Sequence, residues 1–530
     1  MIKAVRGTRD LLPPDTALWK FVDETARSVF RAYNFQEIRT PIFEDTQLFA
    51  RGVGEETDIV SKEMYTWSEE ANPEATLIGA WYTQSKPKYA ASAWETRARG
   101  QHFEIDMRGE SEAFLVELRS KFNPAVVERL RARKDRWPTS HPDSKPPLLI
   151  VALPRREADK IQWANLNDVV IEMLDIAEHE PGQRLTLRPE NTAGVVRAYI
   201  EHSLQSRGLN KLYYIGPQFR RERPQKGRYR QFYQIGAEVI GPPSAGSESP
   251  ARDAEILELL ATFLGKLGIT GWTLQLNSIG CAKDRTRYNE ALRKALEPVK
   301  DKMDPDCQRR AVTNPLRVFD CKVPKDQPII EKLPRISQFL DEPCRKHFEH
   351  VQEILKSVGV PFTLNDRLVR GLDYYTRTAF EFTHGALGAQ NAILGGGRYD
   401  GLSEELGGPK APGIGFAIGE DRLVLALNKS AEEMQPKPDV YIAPLGQSMD
   451  REAARLAREL RQKDVIVELS DESFRLKKSL ETASKLGARF ALIVGENEIK
   501  ADSFTLKNLA TGEQVSVPRT ELIERIRTKP

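Results

Sequence analysis

Residues 219–241 read FRRERPQKGRYRQFYQIGAEVIG. Arg220, Arg221, Arg223, Arg228 and Arg230 crowd the start of this stretch with Lys226, and Phe232, Gln234 and Glu238 follow at even spacing. An arginine fork takes phosphate oxygens two at a time. An aromatic face suits a purine, and an amide beside a carboxylate can hydrogen-bond a small polar ligand. LYYIGPQFR and RQFYQIGAEVIG both read as strands, and the polar QKGR turn makes them a hairpin. Side chains alternate faces along a strand. Phe232, Gln234 and Glu238 are therefore expected on one face, with Gly236 clearing room between them and Arg220 of the partner strand pointing into the same space. The bland alternative is a surface hairpin whose solvated arginines cling loosely to nucleic acid.

Three other stretches favour a built site. TLRPENTAGVVRAYIEH places Glu190 and Thr192 between a strand and a helix, although a first-turn acid also suits the helix dipole by itself. LVRGLDYYTRTAFEF reads as a core strand bearing Arg370 near Asp373, Tyr374 and Tyr375. A buried arginine needs a partner, and an anionic ligand would serve. GGGRYDGL and GIGFAIGEDRL supply glycines for close backbone approach, then Arg422 on a helix. For Arg422 a surface ion pair is the plain alternative. GxxxxGK[ST] is absent, because the Gly265-Lys266 pair is followed by leucine. A bound nucleotide must therefore sit on another scaffold.

The elements that would carry these groups can be read coarsely. DTALWKFVDETARSVFRAYNF opens behind Asp15 and repeats Leu18, Phe21, Val22, Thr25 and Val29 at helical spacing. FQEIRTPIFEDTQLF is expected as a strand broken by Pro41. KEMYTW and RLTLRPE are natural hairpin partners separated by residues 68–182, a segment expected to be an inserted domain. That segment holds Trp81, Trp94, Trp137 and Trp163, an apolar strand in PLLIVAL and an amphipathic helix in QWANLNDVVIEMLDIAEH. RDAEILELLATFLGKLG is a helix ended by glycine, WTLQLNSIG is a strand, and residues 281–362 are mostly helical and charged. A polar linker at 428–438 precedes DVYIAPL, VIVEL and RFALIVG, short strands between helices that predict a small α/β domain with a parallel sheet.

Composition limits the partners. Lys and Arg total 79 against 76 Asp and Glu, a net charge of +3, so any grip on a phosphate polymer must be local. Cys281, Cys307, Cys321 and Cys344 form no CxxC pair, so reduced thiols are expected and no metal-ligating residue is assigned. MIKAVRGTRDLLPPD has no signal-peptide core, and the chain has no apolar run of about 18 residues. The expectation is a cytoplasmic protein without a membrane partner.

FRRERPQKGRYRQFYQIGAE resembles motif 2 of class II aminoacyl-tRNA synthetases, GIGFAIGEDR resembles their motif 3, and the first helix with the Pro41 strand is similar to motif 1, the dimer interface of that class. RGLDYY and GGGRYDG resemble signatures of the histidyl-tRNA synthetase family, and the likeness covers 1–67 and 183–530. The resemblance implies an α+β fold, with an antiparallel core sheet flanked by helices, and ATP-dependent histidylation of tRNA(His) with Mg²⁺. The core would comprise 1–67, 183–280 and 363–427, with a helical insertion near the acceptor stem at 281–362 and an anticodon-binding domain at 439–530.

Carried over by position, Arg220 would hold the α-phosphate and Arg370 would face it from the other side. Glu222 would meet the adenine side and Phe232 would stack on adenine, while Arg228 and Arg422 would grip the terminal phosphates. Glu190, Thr192 and Gln234 would contact the amino group and backbone of histidine, and Glu238, Tyr375 and Tyr399 would enclose its imidazole. Arg223 and Gln225 would meet the tRNA acceptor end. A homodimer is implied. The rival reading is a non-catalytic relative that regulates or only binds tRNA, which typically loses motif arginines; Arg220, Arg370 and Arg422 are all present.

Residues 68–182 depart from the family pattern. Their 16 Lys and Arg against 19 Asp and Glu lack the basic excess of an RNA clamp. Glu104 and Asp106 alternate in HFEIDMR and are candidate metal ligands, though a solvated strand face is the simpler reading. Lys477, Lys478 and Lys485 are candidates only for backbone contact with tRNA, or else an exposed helix face.

Overall fold

A computed structural model describes residues 2–54, 57, 59–68, 184–225, 227–388, 391–471 and 473–528, together with the backbone of four strands between 77 and 153. Two compact units divide it, residues 1–9 with 25–427 and residues 10–24 with 428–530.

The strands of the first unit begin with β1 (Gln36–Glu37), β2 (Phe43–Asp45), β3 (Tyr65–Ser68), β4 (Leu77–Gly79), β5 (Glu95–Arg97), β6 (Gly100–Asp106), β7 (Leu148–Leu153) and β8 (Arg184–Leu187). They continue with β9 (Asn210–Phe219), β10 (Gln231–Ile240), β11 (Trp272–Ser278), β12 (Thr363–Leu364), β13 (Thr376–His384), β14 (Ala392–Arg398) and β15 (Gly413–Gly419). Eight of them form one sheet in the order β1-β9-β10-β15-β14-β13-β11-β12, antiparallel except at the β1/β9 and β11/β12 edges.

The two faces of this sheet differ in chemistry. Directly opposed residues share a face. Gln234, Gly236 and Glu238 on β10 therefore share one with Gly419, Ala417 and Gly415 on β15, then with Gly395 and Gly397 on β14 and Glu381 on β13. This face is floored largely by glycine and alanine, which leaves room above it. The other face presents Ile235, Ala237, Ile418, Phe416 and Phe380, all buried. Phe30 stacks there on Tyr213, ring centroids 4.5 Å apart, and lies 6.3 Å from Phe416. The helix Pro250–Leu267 supplies the apolar ridge Ile256, Leu257, Leu260 and Leu264. Ser249 caps its start and Gly268, at φ +78°, ends it as the sequence predicts.

β3 pairs antiparallel with β8 from Tyr65↔Leu187 to Ser68↔Arg184, so the expected hairpin forms and residues 69–183 leave from its tip. The backbone strands within that excursion make an antiparallel sheet ordered β4-β7-β6-β5, and β7 and β6 coincide with the strands read in PLLIVAL and HFEIDMR. The helix expected at QWANLNDVVIEMLDIAEH and the side chains of Glu104 and Asp106 lie outside the described residues.

Two local expectations are corrected. The FQEIRTPIFEDTQLF strand stops at Asp45, whose carboxylate accepts the Gln47 N–H at 2.7 Å and caps the helix Thr46–Val53. Arg370 lies in the loop before β13 and not on a strand. Between β11 and β12 the helices Ala282–Leu296, Pro305–Thr313 and Glu342–Ser357 are found where a helical excursion was predicted. Tyr288, Leu292, Met303, Phe319 and Ile330 are among the side chains of its core.

The second unit carries β16 (Val440–Leu445), β17 (Val467–Leu469), β18 (Phe490–Gly495), β19 (Ser503–Asn508) and β20 (Gln514–Pro518), ordered β17-β16-β18-β19-β20. The first three are parallel as predicted, and β19 and β20 add an antiparallel pair that the sequence reading did not foresee. Among the described residues no helix is long and apolar enough to cross a membrane.

Candidate active site

Above the glycine-rich face lies a cavity of about 700 Å³. The β9–β10 hairpin forms with the register Gln231↔Phe219 to Ile240↔Asn210, and residues 220–230 loop over one end. Arg220 begins that loop. Its Nε donates to the Pro189 carbonyl at 2.8 Å, and its guanidinium lies 5.2 Å from the Phe232 ring centre. Glu222 accepts from Arg228 at 3.2 Å and stands 3.8 Å from Arg220. Arg422 enters on the first turn of the helix Glu420–Ala426. Burial and, to a lesser degree, the neighbouring Arg228 charge push its pKa down.

Arg370 faces the sheet across Gly395. A methyl group at 395 would come within 2.5 Å of its Nη1. Glu381 accepts from Arg370 at 3.3 Å, and Arg370 Nε is buried without a hydrogen bond. A guanidinium pinned in this way is poised for an anion.

The other end of the cavity is polar. The Glu190 carboxylate accepts from the Thr192 and Ala193 N–H groups at 2.8 and 3.0 Å, capping the helix Thr192–Glu201, and still lines the cavity. Glu190 thus ties down the start of the helix and lines the cavity at once. Burial raises its pKa despite those donors and Arg220. Glu238 is fully buried under Gly415, where a side chain would land inside its carboxylate. Its Oε1 accepts from the Thr192 hydroxyl at 2.7 Å. Burial pushes its pKa up to about 8, and the Thr192 and Tyr399 hydroxyls offset that only in part.

Glu238 Oε2, Gln234 Oε1 and the hydroxyls of Tyr214 and Tyr399 are buried without a well-formed hydrogen bond. Native interiors seldom leave such groups unmet, and of the four only Gln234 lines the cavity itself. Tyr374 and Tyr375 pack with ring centroids 4.7 Å apart, and the Tyr374 hydroxyl lies 3.4 Å from Glu190.

Glu190, Thr192, Arg220, Glu222, Arg228, Phe232, Gln234, Arg370, Tyr375 and Arg422 thus meet in one cavity. Glu238 and Tyr399 lie buried beneath its wall instead of in it. Arg223 and Gln225 are exposed on the loop and do not line it.

Sequence reasoning missed several neighbours. Arg310, Asp320 and Lys322 reach the cavity from the helical insertion, and no local pattern marks them. Asp421 also lines it, ion-paired with Arg9, whose guanidinium lies 4.3 Å from the Tyr229 ring centre. Below the sheet Asp253 accepts from Arg398 and Thr378 at 2.5 Å each and lies 2.8 Å from His347 Nε2. The Asp253–Arg398 pair is wholly buried. Burial alone would push the Asp253 carboxyl up, but Arg398 and His347 outweigh it and its pKa is lowered.

Residues 165–423 match the model of the histidyl-tRNA synthetase family, and residues 439–529 match that of an anticodon binding domain. A histidine–tRNA ligase of Koribacter versatilis is 55% identical over 99% of this chain and 96% of its own length. The chain belongs to the histidyl-tRNA synthetase family. A second histidine–tRNA ligase, from Solibacter usitatus, is 46% identical over 99% of each chain. The apo histidyl-tRNA synthetase of S. aureus has a related structure, with TM-score 0.65 at 30% identity over 100% of both chains. Similarity to the Koribacter protein runs over 529 residues, so residues 68–182 are shared with at least that family member and do not set this chain apart from it.

Proposed function

We propose that the chain attaches histidine to tRNA(His) in two steps. The histidine carboxylate attacks the α-phosphorus of ATP, forming histidyl-adenylate and releasing pyrophosphate. A ribose hydroxyl of the terminal adenosine of tRNA then attacks the acyl carbon and AMP leaves. The observation that carries this reading is the single cavity that joins Arg220, Arg370 and Arg422 to Glu190, Thr192 and Gln234.

The carboxylate is already a nucleophile and pyrophosphate a good leaving group, so the first step needs placement and charge stabilisation more than a general base. Arg220 and Arg370 would straddle the α-phosphate, Arg228 and Arg422 would bind the β- and γ-phosphates, and Phe232 with Glu222 would receive adenine. Glu190, Thr192 and Gln234 would take the amino group and backbone of histidine. The imidazole would reach Glu238, Tyr375 and Tyr399. An amino acid without ring nitrogens could not exchange hydrogen bonds with Glu238 and Tyr399, which would penalise it.

Glu381 and Asp320, which lie near Arg370, would offer Mg²⁺ the oxygen ligands it prefers. When bound it would neutralise phosphate charge. Arg223 and Gln225, exposed at the rim, suit the acceptor end, and residues 439–530 would bind the anticodon. A homodimer through the motif 1 region is supported by Phe43 and Trp67, exposed on β2 and β3 with ring centroids 6.0 Å apart. Near full-length similarity to histidine–tRNA ligases favours this reading over a regulatory relative. The test is ATP–pyrophosphate exchange with each proteinogenic amino acid in turn. Histidine alone should support it, and equal exchange with several amino acids would refute the assignment.

A further inference from the structure

All four cysteines lie between 281 and 344, far apart in sequence, yet the fold brings them together in two pairs. Cys281 is the N-cap of the helix Ala282–Leu296 and Asp284 its third residue. Asp341 is the N-cap of the helix Glu342–Ser357 and Cys344 its third residue. The two N-termini meet as C-x-x-D against D-x-x-C, and one ligand atom from each of the four residues lies within 4.8 Å of the others. Tetrahedral zinc with two sulfur and two oxygen ligands spaces them about 3.5 Å apart, so a modest contraction would close the shell.

Cys281 and Asp284 cap the first helix reciprocally and Asp341 caps the second, but capping needs neither a sulfur at Cys344 nor the meeting of the two helix ends. Backbone N–H groups already orient both carboxylates: Asp341 accepts from Cys344 N at 2.9 Å, and Asp284 accepts from Cys281 N at 3.2 Å and Asp341 N at 3.0 Å. Arg287 adds a bond to Asp284 at 2.6 Å. The Cys281 thiol lies 3.7 Å from Asp341 Oδ2, and the Cys344 thiol interacts with both Asp341 and Asp284. Two thiol protons therefore occupy the space between two thiol sulfurs and two carboxylates, at the positive ends of two helices.

We propose that Cys281, Asp284, Asp341 and Cys344 form a structural site for a divalent transition metal, zinc above all. Binding releases both thiol protons and forms two metal–thiolate bonds, so the site's net charge is the same before and after. The ion would clamp the base of the segment 281–344, from which Arg310, Asp320 and Lys322 reach the cavity. The second group, Cys307, Cys321 and Asp326, is wholly buried but offers three ligands, one short of a closed structural shell, and serves as the internal control.

The experiment uses the full chain, reduced, exposed to zinc or to cobalt and freed of loose metal. Zinc content by mass spectrometry should approach one equivalent per chain, and cobalt should give the visible absorption of a tetrahedral thiolate site. Cys281→Ser with Cys344→Ser should lose both signals, while Cys307→Ser with Cys321→Ser keeps them. If the first double variant does not fold, differential alkylation of the wild type decides: zinc should protect Cys281 and Cys344 and leave their labelling unprotected once chelated. Absence of bound metal, or retention of a full equivalent by the first double variant, would each overturn the proposal.

Discussion

Glu238→Gln tests the electrostatics of the pocket most directly. The carboxyl is fully buried, and its pKa rises from 4.5 to about 8 chiefly through burial. Below pH 4.5 both folded and unfolded chains keep the proton, so the shift has no effect. Between there and pH 8 the unfolded chain releases it and the folded one does not, so stability falls as pH rises, by about 1.4 kcal/mol per pH unit at the steepest. From pH 5.5 to 8 the accumulated loss is about 3 kcal/mol. The amide keeps the shape and can still accept the Thr192 hydroxyl, but it does not titrate. Urea unfolding at pH 5.5 and 8.5 should therefore show the variant gaining on the wild type by about that amount, with a smaller contribution from the coupling of Glu238 to Glu190. Parallel behaviour at the two pH values, or a wild type that gains on the variant as pH rises, would mean that Glu238 is ionised in the fold.

Gly395→Ala should act through Arg370, since the added methyl would press its Nη1 from 2.5 Å. Exchange kcat is expected to fall about 10²-fold or more, with little change in melting temperature. An unaltered kcat would separate Arg370 from the reacting phosphate. Asp253→Asn should destabilise by about 3–5 kcal/mol, because it leaves the buried Arg398 charge poorly compensated. Thermal unfolding checks this, and a loss below about 1 kcal/mol would show that Asp400 alone suffices for Arg398.

Much of the active-site reading was available from local pattern. Alternation along β10 puts Gln234 and Glu238 on one face whatever the sheet does elsewhere, and Gly268 marks its helix end through bonds to near neighbours in the chain. Periodicity misled where loop and strand share a composition: the RGLDYY stretch looks like the start of β13, yet Arg370 is held by Glu381 and by the shape of Gly395 and not by a ladder.

The sequence by itself determined the hairpin, the clustered arginines and the alternating stripe, because these depend on residues a few positions apart. Only the tertiary structure decided that Glu238 and Tyr399 sit beneath the cavity instead of lining it, that Asp320 and Lys322 reach it from another element, and that four scattered cysteines meet in pairs. It also joined Asp253 to Arg398 across 145 positions of chain. Such contacts are set by how the helices pack on the sheet, and no local period records that packing.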